Sequence, residues 1–396
     1  MNRQTRKTVV FIIPSLYLRG SQRVLNEVVN NINHNMFERH VVCFEKRDNP
    51  FRFDRDIKFH YLFPSSQALT ENGLFYNAAK KIRKVRIFIR LSRLLSQFPQ
   101  DTIFVPFLRL STIYTVFSLL GLRRKIIASL HVTDSIKMLT SFSFILYRRL
   151  QEILFKAACL RADRIIVPTR GIKLDLIEKY LIPEKSIQTL PNPIDLANIN
   201  HMRSKKLKID YIGKPNVPLF VHIGSLVEEK NHRLLIQASS LLKKKKEKFT
   251  VLCAGSGTME AKIRQWIHNE GLEGYIFMIG EIDNPFALMS KARALLLTSH
   301  HETFGLVLVE AMASGTAVIS VDCPSYGPAE ILDKGNFGIL IPPDNPTALA
   351  DAMITIAHDD TLFHELQKKG KRQAAQYDIS KTIKLWEEVL YGTEVR

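Results

Sequence analysis

Residues 299–315 read Ser-His-His-Glu-Thr-Phe-Gly-Leu-Val-Leu-Val-Glu-Ala-Met-Ala-Ser-Gly. The apolar run that precedes them, 294–298, predicts a buried strand, and the apolar stretch after Gly305 predicts a helix. Glycine at the junction permits a tight loop and a close approach of the backbone to a ligand. Strand, glycine loop and helix in this order would aim the amides of Phe304, Gly305 and Leu306 at an anion, and we expect a diphosphate there.

Two carboxylates belong to this stretch. Glu310 lies in an otherwise apolar helix, where a carboxylate is costly to bury without hydrogen-bond donors. A pair of ribose hydroxyls would supply two donors. Glu302 lies in the loop, where we expect it to face a sugar. Taken singly, Glu310 is better interpreted as a structural carboxylate that caps a neighbouring loop, and Glu302 as an exposed loop acid. Their combination around a glycine loop favours a binding site.

Two further loops show the same order of strand, glycine turn and helix. The first reads His-Ile-Gly-Ser-Leu-Val-Glu-Glu-Lys-Asn-His over residues 222–232, with Gly224 and Ser225 in the turn. Lys230 follows that turn and could reach a phosphate, although a solvated surface lysine is an equal alternative. The second is the turn Gly20-Ser21, which would present backbone amides to a ligand but is a common feature by itself.

Short apolar runs alternate with amphipathic stretches along the rest of the chain. Runs rich in Val and Ile predict parallel strands that are covered on both faces. The alternation occurs in two series, which predicts two doubly wound α/β domains. The predicted strands are 8–13, 40–44, 102–107, 125–130 and 164–168, then 219–223, 249–254, 275–279, 294–298, 317–321 and 338–341.

The length of 396 residues also favours two domains. We predict an N-terminal Rossmann-like domain over residues 1–200, a linker over 201–217 and a C-terminal domain over 218–375. Residues 376–396 are predicted to form a C-terminal helix. The linker is placed by a cluster of lysines and by Gly213-Lys-Pro215.

The net charge of +18 is distributed unevenly. Residues 1–200 contain 32 Lys and Arg against 15 Asp and Glu, whereas residues 201–396 contain 24 against 23. This excess in one half predicts a polyanionic partner for it: a membrane surface, a nucleic acid or an anionic substrate. The four cysteines are widely spaced, which excludes a disulfide framework or zinc motif and favours a reducing cytosol.

A basic amphipathic helix is predicted over residues 78–95. Its apolar stripe would comprise Ile82, Val85, Phe88, Ile89 and the leucines of 91–95, with lysines and arginines on the other sides. This pattern is typical of a helix that lies on anionic lipid, although packing on the domain's own sheet is the commoner outcome for one such helix. Further basic pairs at Arg123-Arg124 and Arg148-Arg149 favour the membrane. We therefore expect peripheral attachment to the inner face of the cytoplasmic membrane.

The glycine loops together resemble the retaining family-4 glycosyltransferases (glycosyl transferases group 1) of the GT-B fold. The resemblance rests on Glu302 and Glu310 with the sequence between them, and on residues 224–232. It also rests on Leu-Pro-Asn-Pro-Ile-Asp at residues 190–195 and on Gly-Pro-Ala-Glu-Ile-Leu at residues 327–332. It covers nearly the whole chain and is most specific in residues 218–345. It implies two Rossmann-like domains that face a central cleft, with the C-terminal helix crossing back to the N-terminal domain.

The resemblance also implies roles for individual residues. Glu310 would bind the donor ribose, and Glu302 the sugar hydroxyls near the reacting carbon. Lys230 would neutralise the leaving diphosphate in place of a metal ion, so no cofactor or metal is expected. His131 matches a histidine that contacts the donor sugar. The catalytic residues would be His131, Glu302 and Lys230, and the donor would be bound by Gly20, Ser21, Gly224, Ser225, Lys230, Glu302, Phe304, Gly305, Leu306 and Glu310.

The chain departs from the family's pattern at two positions. Ser225 stands where the family often has an arginine, and Gln22 where it commonly has a glutamate. Two other motifs are attributed to chance or to simple turns. Asp54-Arg-Asp56 fits a metal motif but lies in a polar segment, and Gly255-Ser-Gly257 lacks the third glycine of a dinucleotide fingerprint.

The sequence thus predicts transfer of a hexose or N-acetylhexosamine from a nucleotide diphosphate sugar to a lipid-linked or cell-envelope glycan. A UDP-sugar is favoured, by the resemblance of Gly327-Pro328…Glu330, and a GDP-sugar is possible. The alternative is a non-catalytic, membrane-associated subunit of the same fold in a glycan-assembly complex, which the departures at Gln22 and Ser225 favour. Nucleic-acid binding is not expected, because the chain shows no recognition module or pattern of stacked aromatics.

Overall fold

The computed structural model describes residues 6–16, 20–46, 49–63, 76–131, 142–207, 216–324 and 326–392. The chain divides into two compact units. The first comprises Met1–Pro193 together with Ser380–Arg396, and the second comprises Ile194–Ile379. The division places the residues after Pro193, which we had assigned to the end of the N-terminal domain and to the linker, with the second unit.

The first unit is built on a seven-stranded parallel sheet in the order β3-β2-β1-β4-β5-β6-β7. Its central strands are short runs of Val, Ile and Phe that are almost wholly buried, as parallel strands covered on both faces should be. The strands are β1 (Lys7–Ile13), β2 (Phe37–Glu45), β3 (Lys58–Phe63), β4 (Ile103–Pro106), β5 (Lys125–Ser129), β6 (Arg164–Val167) and β7 (Ile187–Thr189).

The helices of this half are α1 (Gly20–Asn31), α2 (Tyr76–Ser96), α3 (Leu108–Ser118), α4 (Phe142–Arg161) and α5 (Arg170–Tyr180). Side chains from α2 to α5 form one apolar core with alternate residues of the strands, including Val10 and Ile12. These four helices therefore cover the same face of the sheet. Right-handed crossovers from β3 through to β7 require this arrangement, because each of these connections moves the chain in the same direction across the sheet.

The second unit has a six-stranded parallel sheet in the order β10-β9-β8-β11-β12-β13. The order reverses between β8 and β11, and ligands of doubly wound sheets bind beyond the carboxyl ends of strands at such a point. The elements are α6 (Leu196–Arg203), β8 (Leu219–Ile223), α7 (His232–Lys244), β9 (Thr250–Ala254), α8 (Glu260–Asn269), β10 (Ile276–Gly280), α9 (Pro285–Met289), β11 (Ala294–Leu297), α10 (Leu306–Ser314), β12 (Ala317–Val321), α11 (Gly327–Ile331), β13 (Ile339–Ile341), α12 (Pro346–His358) and α13 (Asp360–Ala374).

The last helix, α14 (Ile379–Gly392), packs on the first unit. Trp386 is fully buried and stacks on Phe107, with ring centroids 6.0 Å apart. The Glu387 carboxylate accepts a hydrogen bond from the Asn33 amide at 2.7 Å, and the Lys7 ammonium donates to the Tyr391 carbonyl at 3.0 Å. The expected return of the C-terminal helix to the N-terminal domain is therefore confirmed.

All eleven predicted strands are present with small shifts at their ends, and within the described residues two further strands were missed. The strand β3 (Lys58–Phe63) is an edge strand whose residues are mostly half-buried, so it lacks a continuous apolar run. The strand β7 (Ile187–Thr189) has only three residues. Part of the predicted linker, residues 208–215, lies outside the described residues.

The helix α2 corrects one prediction. Its apolar residues do not form a single stripe, because Ile87, Leu91 and Leu95 are buried against the sheet while Ile82, Val85 and Ile89 are exposed on the opposite side. Two of the arginines that we had assigned to a lipid-facing helix are also engaged within the unit, as described below. Among the described residues, no helix is both long and apolar enough to span a membrane.

Candidate functional site

The helix α10 begins at the edge of the second sheet where the strand order reverses. Gly305 is its N-terminal cap and adopts a left-handed conformation, with φ 89° and ψ 56°. A residue with a side chain would be strained there. Phe304 is buried against the Tyr377 ring, with ring centroids 5.5 Å apart. This contact anchors the loop that precedes α10. The first amides of α10 are thus presented at the end of a helix, which suits an anion.

Glu310 occupies the second turn of this helix. Its side chain is only 4% exposed, and its neighbours Val309 and Ala311 are fully buried. A carboxylate that is buried to this degree is stabilised by hydrogen-bond donors. The expectation that Glu310 lies on a buried helical face next to the glycine loop agrees with this placement.

Lys230 and Glu302 contact each other directly. The Lys230 ammonium lies 2.7 Å from Oε2 of Glu302, and both side chains are largely buried. The Thr298 hydroxyl donates to the Lys230 carbonyl at 2.8 Å, and the His300 amide donates to the Glu229 carbonyl at 2.9 Å. These bonds tie the loop after β8 to the end of β11. The sequence did not predict the ion pair, because the two residues are 72 positions apart.

Glycines allow the loops of this edge to pack backbone against backbone. A Cβ on Gly255 would lie 2.0 Å from the Gly224 carbonyl oxygen, and one on Gly257 would lie 2.4 Å from the Leu226 carbonyl oxygen. The Gly224 amide also donates to the Ala254 carbonyl at 3.0 Å. The Gly-Ser-Gly stretch that resembled part of a dinucleotide fingerprint therefore supports the neighbouring loop.

Gly327 likewise allows close backbone packing, in this case against the loop that carries Glu302. A Cβ at this position would lie 2.4 Å from the Glu302 carbonyl oxygen and 2.8 Å from the Phe304 amide nitrogen. Because no side chain could fit, Gly327 fixes how closely α11 approaches this loop. We had used Gly327 only as part of a motif; its packing role depends on a contact that the sequence does not display.

A pair of buried histidines lies next to Lys230. The rings of His222 and His232 are 4.4 Å apart, and the two side chains are 1% and 3% exposed. Burial lowers the pKa of His232 to about 4, and it lowers the pKa of His222 well below its ordinary value, with the other histidine and Lys230 adding to the effect. Both imidazoles are therefore neutral at physiological pH, so neither histidine adds a positive charge beside Lys230.

His131 belongs to the first unit, at the end of β5. Its Nε2 lies 2.8 Å from the Ser129 hydroxyl, and its ring stacks on Phe107 at 5.2 Å. Burial lowers the pKa of His131 to about 4, while a hydrogen bond with Asn192 acts in the opposite direction. A neutral imidazole can donate a hydrogen bond to a sugar hydroxyl or accept one from it. It cannot serve as a charged group at neutral pH.

The turn at Gly20 and Ser21 also lies in the first unit, where it opens α1. The Ser21 hydroxyl donates to the side-chain oxygen of Gln22 at 2.8 Å, and Gln22 is buried. The residue before the turn, Arg19, lies outside the described part of the chain. In the other half, Ser225 is exposed beside Gly224.

The carboxylates of Asp54 and Asp56 both point to Arg39. The Arg39 guanidinium is 2% exposed and lies 2.7 Å from Asp56 and 3.4 Å from Asp54. This contact lowers the pKa of Asp56. The two aspartates of the apparent metal motif therefore form ion pairs with a buried arginine. Across the described residues, no group of three or more His, Cys, Asp or Glu side chains is arranged to hold a metal ion.

Comparison with known protein families gives a match for each half of the chain. The family model for glycosyl transferases group 1 matches residues 205–374, and that for Glycosyltransferase Family 4 matches residues 18–198. Together they span most of the chain.

Two similar proteins come from Campylobacter jejuni. The first is N-acetylgalactosamine-N,N'-diacetylbacillosaminyl-diphospho-undecaprenol 4-alpha-N-acetylgalactosaminyltransferase, 28% identical over 70% of this chain and 73% of that protein. The second is GalNAc-alpha-(1->4)-GalNAc-alpha-(1->3)-diNAcBac-PP-undecaprenol alpha-1,4-N-acetyl-D-galactosaminyltransferase, 23% identical over 96% of each chain.

Among solved structures, Anabaena Alr3699/HepE in complex with UDP superimposes with a TM-score of 0.76 at 17% identity. The superposition covers 98% of this chain and 100% of that one. At this identity the likeness shows the fold, which is GT-B. With one family model matching each half, the chain belongs to the family-4 glycosyltransferases (glycosyl transferases group 1).

Proposed function

We propose that this chain is a retaining, metal-independent transferase that moves a hexose or N-acetylhexosamine from a nucleotide diphosphate sugar. The observation that carries the proposal is the Lys230–Glu302 ion pair beside the N-terminus of α10. This loop cluster brings together a cation for a diphosphate, backbone amide donors at the start of α10 and a carboxylate for a sugar. Each of these groups is needed for donor binding, and the second unit supplies all of them.

The diphosphate would bind at Phe304, Gly305 and Leu306, where the first amides of the helix and the helix dipole favour negative charge. Lys230 would approach the same phosphates. In the structure its charge is balanced by Glu302, so a donor would enter a site where the lysine is already positioned. Gly224 and Ser225 would line the phosphate side, and Glu310 would accept hydrogen bonds from the ribose hydroxyls.

The donor we favour is a UDP-sugar, with a GDP-sugar as the alternative. The structural relative HepE is described in complex with UDP, which supports uridine. Both Campylobacter relatives are named as N-acetylgalactosaminyltransferases, which supports an N-acetylhexosamine. From the first unit, His131 would contact the sugar as a neutral hydrogen-bonding group, and the turn Gly20-Ser21 would contribute backbone amides.

The acceptor we propose is a lipid-linked or cell-envelope glycan. Both relatives are named for acceptors that carry undecaprenol through a diphosphate. A lipid-linked acceptor implies work at a membrane surface, so we propose a cytoplasmic protein that is peripheral on the inner face of the cytoplasmic membrane. This placement is also consistent with the excess of basic residues in the first 200 positions.

In the proposed reaction, the bond from the anomeric carbon to the diphosphate oxygen breaks as the acceptor hydroxyl forms its bond on the same face. The acceptor proton passes to the departing diphosphate, which leaves as a nucleoside diphosphate. Lys230 and the amides of α10 stabilise the charge that develops on the leaving group. Glu302 orients the sugar, and its pairing with Lys230 makes it a poor candidate for a covalent nucleophile.

The proposal is tested by incubating the purified protein with UDP- and GDP-sugars in EDTA, with and without a lipid-linked acceptor. We expect release of nucleoside diphosphate to depend on the acceptor and to persist without metal. Proton NMR of the first product should show the donor's anomeric configuration. Activity that requires Mg²⁺ or Mn²⁺, or an inverted product, would contradict the mechanism. Binding of UDP without any turnover would indicate the alternative, a non-catalytic subunit.

A further inference from the structure

Exposed apolar side chains are concentrated in the first unit. Among the described residues, fourteen large hydrophobic side chains are exposed, and twelve of them lie between residues 82 and 181. The second unit contributes only one of them, Tyr326. Scattered exposed hydrophobics are ordinary, but a concentration on one face indicates an interaction surface.

Most of these residues lie on the outside of the helix layer formed by α2 to α4. Helix α2 exposes Ile82, Val85 and Ile89, which follow one another at helical spacing. Helix α4 exposes Leu150, Ile153 and Leu160 in the same way. We call this surface the outer helical face, and it also includes Leu120 and Leu122 of the connection between α3 and β5.

Hydrogen bonds join these parts into one surface. The Ser92 hydroxyl of α2 donates to the Ser118 carbonyl at the end of α3, at 3.0 Å. The Arg161 guanidinium at the end of α4 donates to the Leu122 carbonyl at 3.3 Å. The connection that carries the two exposed leucines is therefore bonded to α4 on one side, and the helix before it is bonded to α2 on the other.

Arginines are interleaved with these apolar residues. Arg86 and Arg93 are exposed on the same side of α2 as Ile82 and Ile89, and Arg123 and Arg149 are exposed beside the leucines. Across residues 76–125 the sequence has eleven Lys and Arg and one acidic residue, Asp101. With Arg86, Arg93, Arg123 and Arg149 among its exposed residues, the face is both apolar and basic.

Two other arginines of α2 do not belong to this face. Arg83 forms an ion pair with Glu45, and Arg90 donates to the Leu62 carbonyl at 2.6 Å. Both guanidinium groups also lie over the Phe63 ring. They fasten α2 to the edge of the sheet, and changing them would disturb the fold as well as any surface interaction.

We infer that the outer helical face docks on an anionic lipid bilayer. Aliphatic side chains would enter the boundary between headgroups and acyl chains, and the arginines beside them would meet lipid phosphates. A second copy of the chain fits less well, because a twofold interface would bring Arg86 and Arg93 close to their own counterparts. A nucleic acid would meet the arginines but would leave the aliphatic residues in water.

The test is flotation with vesicles of phosphatidylcholine alone and of phosphatidylcholine with phosphatidylglycerol, without donor or acceptor. We expect binding to the anionic vesicles that weakens with salt. The variant Arg86→Gln/Arg93→Gln/Arg123→Gln should bind at least roughly tenfold more weakly. The variant Ile82→Ser/Val85→Ser/Ile89→Ser should also lose binding, because it removes the inserted side chains without changing charge.

The matched control is Lys244→Gln/Lys248→Gln/Lys291→Gln, which removes the same charge from exposed positions of the second unit and should bind like the wild type. Equal binding of the arginine variant and this control would overturn the inference. So would equally poor binding of the wild type to both kinds of vesicle at low salt, or concentration-dependent dimers that disappear in the isoleucine–valine variant. Binding of UDP, measured in the same variants, reports separately on the proposed function and should not change.

Discussion

Lys230 and Glu302 form an ion pair, and this has consequences for both binding and turnover. Their charged atoms are 2.7 Å apart in a loop cluster that also holds the start of α10. A diphosphate would compete with Glu302 for the lysine. The two residues should therefore affect the reaction in different ways, although they belong to one pair.

Lys230→Met should weaken UDP binding and lower turnover by about 100-fold, since it removes the cation that faces the leaving group. Glu302→Gln should also lower turnover, but UDP binding should be kept or improved because the competing carboxylate is lost. Steady-state kinetics and calorimetry of each variant provide the measurement, with Lys291→Met as a surface control. If Lys230→Met bound UDP and turned over like that control, Lys230 would not be a phosphate ligand.

Buried neutral histidines should make the fold sensitive to acid. The pKa of His131 falls from 6.5 to about 4 on burial, so below about pH 6.5 the unfolded chain binds a proton that the folded chain does not. Stability from this group is present at neutral pH and is lost as the pH falls towards 4, by up to roughly 3 kcal/mol. Urea unfolding at pH 7 and pH 5 should show this loss, and His131→Gln should reduce the difference. An unchanged pH dependence in that variant would mean that His131 is not protonated on unfolding.

At the residue scale, the sequence predicted candidate site residues but not the contacts between them. Glu310 was recognisable because a carboxylate in an apolar helix is unusual. The Lys230–Glu302 pair and the contact between the His222 and His232 rings join residues that the fold brings together, so no local pattern reveals them.

At the scale of elements, glycines set the spacing of the loops around α10. Gly255, Gly257 and Gly327 each lie where a Cβ would clash with the backbone of a neighbouring loop. The glycine turns after β8 and β11 could be recognised in the sequence because glycine follows an apolar run in each. The requirement for glycine at position 327 comes from the approach of α11 to another loop. The sequence around Gly327 therefore could not reveal it.

Gly327→Ala should displace the loop of Glu302, because its Cβ would meet the Glu302 carbonyl at 2.4 Å. We expect a loss of turnover of at least about tenfold and a destabilisation of about 1–3 kcal/mol, which is typical of overpacking. Gly274→Ala is the control, since a Cβ there meets no atom within 4 Å. Comparing kcat/KM and the urea midpoint of the two variants tests the point. Equal behaviour would show that the loop tolerates the methyl group and that Gly327 has no positioning role.

At the scale of the whole molecule, the two units carry different chemistry. The second unit holds most of the groups proposed for the donor, with nearly balanced charge. The first unit holds the basic excess and the outer helical face. The sequence predicted this division from charge and from strand–helix alternation, because both are properties of long stretches. The split of α2 into a buried side and an exposed apolar side required the structure, since both sides are apolar in the sequence.

The central claim is that the second unit binds a nucleoside diphosphate through α10, Lys230 and Glu310. It is tested most directly by calorimetric titration of UDP and GDP into the wild type and Glu310→Gln, in EDTA, with Glu365→Gln as a surface control. We predict metal-free binding of at least one of the two nucleotides, with UDP favoured. That binding should weaken by roughly 10- to 100-fold in Glu310→Gln, as expected for a lost hydrogen bond to a charged group, and should be unchanged in the control. Absence of binding to either nucleotide, or equal affinity in Glu310→Gln and the wild type, would contradict the account.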